Sequence, residues 1–331
     1  MIALLLALAC AQASPVVMPA VVLSDPSVVH GMTLSTPTYN RAWASDAIPG
    51  TLDVLASEGV NWVSYHPYAR IGRDGSVQME FDPANPPDWM TRPIRDAHAR
   101  GLSVMVKPHL AHWGSGFSWR GDIAFDTPEA EARFFREYTT WITAVASATR
   151  DADAFVVGTE LDGTTHNVAA WRHIIANVRT VFTGPLTFAS NWDSFADVAF
   201  WDDLDAVGIQ AYFPVLRESE PVTVANIEAG WTRILTDVHA VSARTGKPVV
   251  FTELGYDASS DALHRPWQGG HGDDATQALA LSTTLRILST DPVVRGAFLW
   301  KWFPGEVQRG DFRMSRPEVR AILREHWGNR E

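Results

Sequence analysis

Two apolar runs stop at the same dipeptide. Ala154-Phe155-Val156-Val157-Gly158-Thr159-Glu160 is one, and Lys247-Pro248-Val249-Val250-Phe251-Thr252-Glu253 is the other. A run of this kind reads as a strand buried on both faces of a parallel sheet. A glutamate at its C-terminal end stands at the mouth of the sheet. Two of them, far apart in sequence, are expected to face each other across one cleft. Paired carboxyl groups are the machinery of glycoside hydrolysis: one gives a proton to the leaving oxygen, and the other, ionised, sits under the anomeric carbon. Tyr212, at the end of another apolar segment, is expected to hydrogen-bond Glu253 and keep it charged. Glu160 then takes the acid role, and afterwards that of the base that activates water.

The elements that must hold these groups alternate along the whole chain. Strands are expected at Val28–Leu34, Val60–Tyr65, Leu102–Lys107, Ala154–Glu160, Leu186–Ser190, Leu204–Tyr212, Pro248–Glu253 and Val293–Trp300. Helical spacing marks segments such as Phe134, Phe135, Tyr138, Trp141, Ile142 and Val145, which Thr127 is placed to cap, and Ile227 to Val241, ending near Gly246. Regular alternation implies a parallel sheet. Eight such units in one α/β domain, with no GxGxxG or phosphate loop, imply a (β/α)8 TIM barrel over residues 27–331. Arg70–Pro87, Ala111–Thr127 and Gly255–Asp274 read as irregular loops at the active face. The strand ends then contribute His66, Lys107 with His109, Glu160, Asn191 with Trp192, Tyr212, Glu253, and Trp300 with Trp302. Lys107 reads equally well as a loop anchor.

Composition narrows the ligand. The 331 residues carry a formal net charge of -11, without a basic cluster interleaved with aromatics, so a nucleic-acid partner is not indicated and a neutral ligand fits. There are 14 tryptophans against 6 tyrosines. Trp62, Trp141, Trp171, Trp231 and Trp327 read as core. Trp113, Trp119, Trp192, Trp267, Trp300 and Trp302 fall in loops or at strand ends, where flat faces suit sugar rings. Ile2–Ala9 followed by Ala11-Gln12-Ala13 reads as an export signal over residues 1–13, implying a periplasmic or secreted protein. Acylation of Cys10, as in a lipoprotein, is the second reading of that segment. Cys10 is the sole cysteine, so the domain after it offers neither disulfide nor thiolate chemistry.

Several stretches together resemble glycoside hydrolase family 113, within the clan A glycoside hydrolases. They are Lys107-Pro108-His109, Trp119-Arg120-Gly121-Asp122-Ile123, Gly158-Thr159-Glu160, Trp201-Asp202-Asp203-Leu204-Asp205, Gly208-Ile209-Gln210-Ala211-Tyr212-Phe213-Pro214, Phe251-Thr252-Glu253-Leu254-Gly255-Tyr256 and Leu299-Trp300-Lys301-Trp302. The resemblance implies a retaining mechanism on β-1,4-linked mannan or manno-oligosaccharides, with Glu160 as acid/base and Glu253 as nucleophile. It implies no cofactor; beside it, no metal site is expected, and the protein is expected to be a monomer. Lys107, His109, Trp119, Arg120, Asn191, Trp192, Tyr212, Trp300 and Trp302 become the candidate substrate contacts. Where most clan A enzymes carry asparagine before the acid/base, this chain has Thr159. Three rivals stand beside this reading: the same chemistry on a β-glucan, a sugar-binding barrel without catalysis, and a metal-dependent hydrolase using His109 and His112. The last lacks a complete ligand set.

Overall fold

Eight short strands pair in parallel and close on themselves in the computed structural model, which describes residues 28–36, 40–305 and 312–328. The expected signal segment, with Cys10, lies outside the described residues. The barrel strands are β1 (Val29–Leu34), β2 (Trp62–Tyr65), β3 (Ser103–Val106), β4 (Ala154–Thr159), β5 (Leu186–Asn191), β6 (Val207–Gln210), β7 (Val249–Leu254) and β8 (Val294–Trp302). Each pairs with its neighbours in chain order, and β8 returns to β1, so no strand is left with an open edge. This is the expected single-domain TIM barrel.

Helices α1 (Ala47–Ser57), α2 (Asp88–His98), α3 (Pro128–Ala148), α4 (Val168–Arg179), α5 (Val224–Thr245), α6 (Asp274–Leu288) and α7 (Pro317–Trp327) cover the outside. The Thr127 hydroxyl accepts from the Ala130 amide and caps α3. Gly246 closes α5 at φ 67°, a conformation glycine adopts without cost. The alternation breaks once. Between β5 and β6 the chain runs through two short 3-10 turns, Phe195–Asp197 and Trp201–Asp203, instead of a helix. That stretch buries Phe195 and Trp201 but has no apolar stripe at helical spacing.

Two apolar layers hold the frame. Met105, Val156, Ala189 and Phe298, with Val29, Trp62, Ala154 and Val250 packed against them, come only from strands and fill the barrel interior. Trp141, Trp171 and Trp231 are fully buried among the helices, whereas Trp62 belongs to the interior layer. Arg70–Pro87 is not wholly irregular. Tyr68–Ile71 pairs with Val77–Gln78 and with His109–Ala111 in a small three-stranded sheet beside the mouth. Pro67 and Pro108 separate its strands from β2 and β3.

Candidate active site

Both glutamates sit just past a slip in strand register. Phe251 packs on Trp231 of α5 (ring centroids 5.8 Å apart), so it faces the helical layer. Strict alternation would send Glu253 the same way. Against β6, however, Phe251 lies opposite Ile209 and Glu253 opposite Gln210, one residue out of step. A bulge of this kind re-aims a side chain, and the Glu253 carboxyl turns into the barrel. On β4 the register against β5 slips between Val156 and Thr159. Glu160 follows at φ 55°, the one non-glycine residue with positive φ among the described residues. That backbone costs about 1–2 kcal/mol, a strain found at functional sites.

Glu253 is 3 % exposed. The Lys107 ammonium donates to its Oε1 and also to the Thr252 carbonyl oxygen at 3.1 Å. The Tyr212 hydroxyl donates to Oε2 at 2.6 Å. Burial by itself raises the Glu253 pKa, but the Lys107 charge and the hydrogen bonds from Lys107 and Tyr212 outweigh it and hold the carboxyl below its usual range. Burial pushes Lys107 down, and the charges of Glu253 and Glu160 oppose that. The pair is ionised, because two donors converge on the carboxylate. Burial and the Glu253 charge keep Tyr212 protonated, hence a donor.

Glu160 has a different partner. Arg120 donates to its Oε2 from Nε at 3.0 Å and from Nη2 at 2.5 Å. Arg120 sits in the 3-10 turn Arg120–Asp122, where Gly121 leaves room for the Trp119 ring against the backbone; a Cβ there would run into the indole. Among the described residues no hydrogen bond reaches Glu160 Oε1, which leaves that oxygen for a ligand. The two carboxyl groups open into a cleft of about 560 Å³, lined also by Trp119, Arg120, Asn191, Trp192, Asp193, Tyr212, Trp267, Trp300 and Phe312. A cleft with apolar walls and a few converging polar groups is the usual form of a small-ligand site.

The family model for Glycoside Hydrolase Family 113 matches residues 32–311, which span both glutamates. The chain belongs to glycoside hydrolase family 113. Among solved structures it is similar to a GH113 beta-mannanase, AaManA, from Alicyclobacillus acidocaldarius in complex with ManMIm. The TM-score is 0.78 at 23% identity, covering 91% of this chain and 97% of that one. It is likewise similar to a GH113 beta-1,4-mannanase, with TM-score 0.78 at 20% identity over 92% of this chain and 100% of that one. A beta-glucuronidase from Ruminococcus gnavus shares the fold more distantly, with TM-score 0.61 at 13% identity over 90% of this chain and 49% of that one. No curated protein matches the chain in sequence.

Within this family 113 barrel the expected contact residues divide into three sets. Trp119, Arg120, Asn191, Trp192, Tyr212 and Trp300 line the cleft. Lys107 and His109 lie beneath it, 0 % and 1 % exposed. Lys107 acts on Glu253, and His109 Nε2 stands 3.9 Å from Glu253 Oε1. Burial, reinforced by nearby positive charges, pushes His66 and His109 well below the ordinary histidine range, so both rings are neutral at neutral pH. Trp302 is in the core, opposite Leu34 of β1, and does not line the cleft. Thr159 also points away, donating to the Pro108 carbonyl oxygen at 3.0 Å.

Asp162 is a member that the strand-end reading misses. It accepts from the Asn191 amide nitrogen and from the Ser194 hydroxyl at 2.6 Å. The Asn191 nitrogen is thereby turned towards Asp162. Burial raises the Asp162 pKa against these hydrogen bonds. Its place two residues after Glu160 was the only signal in the sequence. Trp267, from the loop after β7, stacks on Trp192 with centroids 5.5 Å apart and planes 13° apart. A second cavity, about 600 Å³, opens at the N-terminal ends of the strands around Arg179, Asp205, Lys247 and Arg295. There Asp205 is taken up by Arg179 and the Leu186 amide, a bracing role typical of that face.

Proposed function

We propose that this protein hydrolyses β-1,4-mannosidic bonds in mannan or manno-oligosaccharides by double displacement. The observation that carries the reading is the contrast between its two glutamates. Glu253 is buried and receives a lysine and a tyrosine, the environment of an ionised nucleophile. Among the described residues Glu160 keeps one oxygen clear of protein donors, as a group that passes a proton to and from a ligand requires. Glu160 gives its proton to the glycosidic oxygen while a Glu253 oxygen bonds to the anomeric carbon and the leaving sugar departs. Glu160, now a carboxylate, takes a proton from water, and that water displaces Glu253 with net retention. Tyr212 and Lys107 supply fixed donors that need no reorganisation as charge moves. Mannan as the substrate is supported by the family and by the names of its similar structures. The same chemistry on a β-glucan is the second reading, because the walls of the cleft come from loops.

The test is product release from β-mannan, glucomannan, β-glucan, xylan and chitosan by wild type and Glu253→Gln. Mannan cleavage that vanishes in the variant, with the anomer retained by NMR, is the expected result. Cleavage of another glycan alone would move the substrate and keep the two roles. Sugar binding without turnover on any polymer would refute the catalytic reading.

A further inference from the structure

Thr252 is the extra residue of the slip that aims Glu253. Against β6 the partners run Phe251 to Ile209 and Glu253 to Gln210, and against β8 they run Phe251 to Ala297 and Leu254 to Leu299. Thr252 is matched to no residue on either side. A residue left out of the ladder has its polar groups free for other partners. The Thr252 carbonyl oxygen accepts from the Lys107 ammonium at 3.1 Å, and its hydroxyl donates to Gln210 Oε1 at 2.9 Å. Thr252 and Gln210 are both fully buried, and neither lines the cleft.

The other end of the Gln210 amide calls for an explanation. Its Nε2 is buried and closes no hydrogen bond among the described residues. Leaving a buried donor unpaired costs more than a typical hydrogen bond gains, so its placing needs a physical reason. The Glu253 carboxyl supplies one, since Gln210 is its partner across the shifted register. Burial raises the pKa of that carboxyl. The Lys107 charge, the Lys107 and Tyr212 hydrogen bonds and, after them, the Gln210 amide lower it. The positive end of an amide dipole acts on a charge without a closed hydrogen bond. Turned over, the amide would set its oxygen against the carboxylate and repel it. The Thr252 hydroxyl, by engaging Oε1, holds the favourable orientation.

We infer that Gln210, oriented by the Thr252 hydroxyl, is a positioning residue for the Glu253 nucleophile. This rests on the hydrolase reading above and deepens it. Thr252 engages Lys107 through its carbonyl oxygen and Gln210 through its hydroxyl, and those two side chains act on the carboxylate from β3 and β6. The threonine of the Thr-Glu dipeptide thus orients two of the groups that orient the glutamate. Because Gln210 does not line the cleft, its effect falls on the chemical step and not on ligand binding.

The test compares wild type, Gln210→Met, Thr252→Val and the double variant, changes that keep most of the side-chain volume. Steady-state kinetics on β-1,4-manno-oligosaccharides across acidic pH are paired with an NMR titration of the Glu253 carboxyl in protein carrying isotope-labelled glutamate, its signal assigned by loss in Glu253→Gln. Gln210→Met is expected to lower kcat about three- to tenfold at neutral pH with KM unchanged. Removing an influence that depresses a carboxyl raises it, so Glu253 should titrate at higher pH and the acidic limb of kcat/KM should move up with it. Thr252→Val should act in the same direction, and the double variant should match Gln210→Met alone. Lys107, His109, Tyr68, Tyr212, Arg120 and Glu160, the other titratable groups around that carboxyl, are unchanged in all four proteins. An unmoved Glu253 titration in Gln210→Met would overturn the inference. So would full additivity of the two substitutions, or a raised KM with kcat intact, which would make Gln210 a ligand contact. If Gln210→Met does not fold, the Glu253 titration in Thr252→Val decides alone. Because that titration is read without turnover, a wild type inactive on every glycan would refute the hydrolase reading separately.

Discussion

Replacing Lys107 by methionine keeps most of the side-chain volume and removes one charge from a closed site. In the wild type the ammonium is fully buried and bonds both Glu253 Oε1 and the Thr252 carbonyl oxygen. Without it Glu253 keeps the Tyr212 hydrogen bond but loses its cation. A charge-assisted bond at a buried carboxylate contributes about 2–3 kcal/mol, so kcat/KM should fall by about 30- to 150-fold at neutral pH. The sign of the pH effect follows from linkage. A carboxyl held below its usual range stays ionised, and the enzyme active, as pH falls towards that depressed value. Removing Lys107 raises it, so the acidic limb of kcat/KM moves to higher pH. The pair's contribution to stability runs the same way: present above the ordinary carboxylate range, and lost as pH falls through the depressed pKa. The assay is a kcat/KM profile across acidic pH, with melting followed in parallel. Lys107→Met leaves a carboxylate buried without its cation, a loss of about 3–5 kcal/mol. Adding Glu253→Gln removes that charge, so the double variant should melt above the single one. An acidic limb that does not move, with kcat/KM within about threefold of wild type, would refute the reasoning.

Three further outcomes follow from the same geometry. Tyr212→Phe removes the 2.6 Å bond to Glu253 and should lower kcat/KM about tenfold, moving the acidic limb upward by less than Lys107→Met does. Asp162→Ala frees the Asn191 amide and should raise KM several-fold, about 1 kcal/mol of binding, with the circular dichroism spectrum retained; an unchanged KM would show that Asn191 needs no such anchor. Glu160→Ala should cost about 10²–10⁴-fold on mannan and far less on aryl glycosides whose leaving group needs no proton, and equal loss on both would contradict the acid role.

Much of the barrel was readable from local pattern. An apolar run bounded by turns, a threonine before a helix stripe and a glycine after one are short-range signals, and they marked all eight strands, the α3 cap and the α5 terminus. The two glutamates were readable for the same reason: each is the first charge after an apolar run. The regular alternation was read too far: eight strand–helix units were expected, and two 3-10 turns stand where the fifth helix would be. What surrounds the glutamates was not legible. The register slips that turn Glu253 and Glu160 into the mouth depend on how each strand pairs with its neighbour, and alternation alone points Glu253 outward. Lys107 reaches Glu253 across 146 positions, and Arg120 reaches Glu160 across 40. No local spacing distinguishes such a lysine from a loop anchor, or Trp302 in the core from Trp300 in the cleft. Closure of the barrel decides those contacts, because it brings the ends of all eight strands to one rim whatever their separation along the chain.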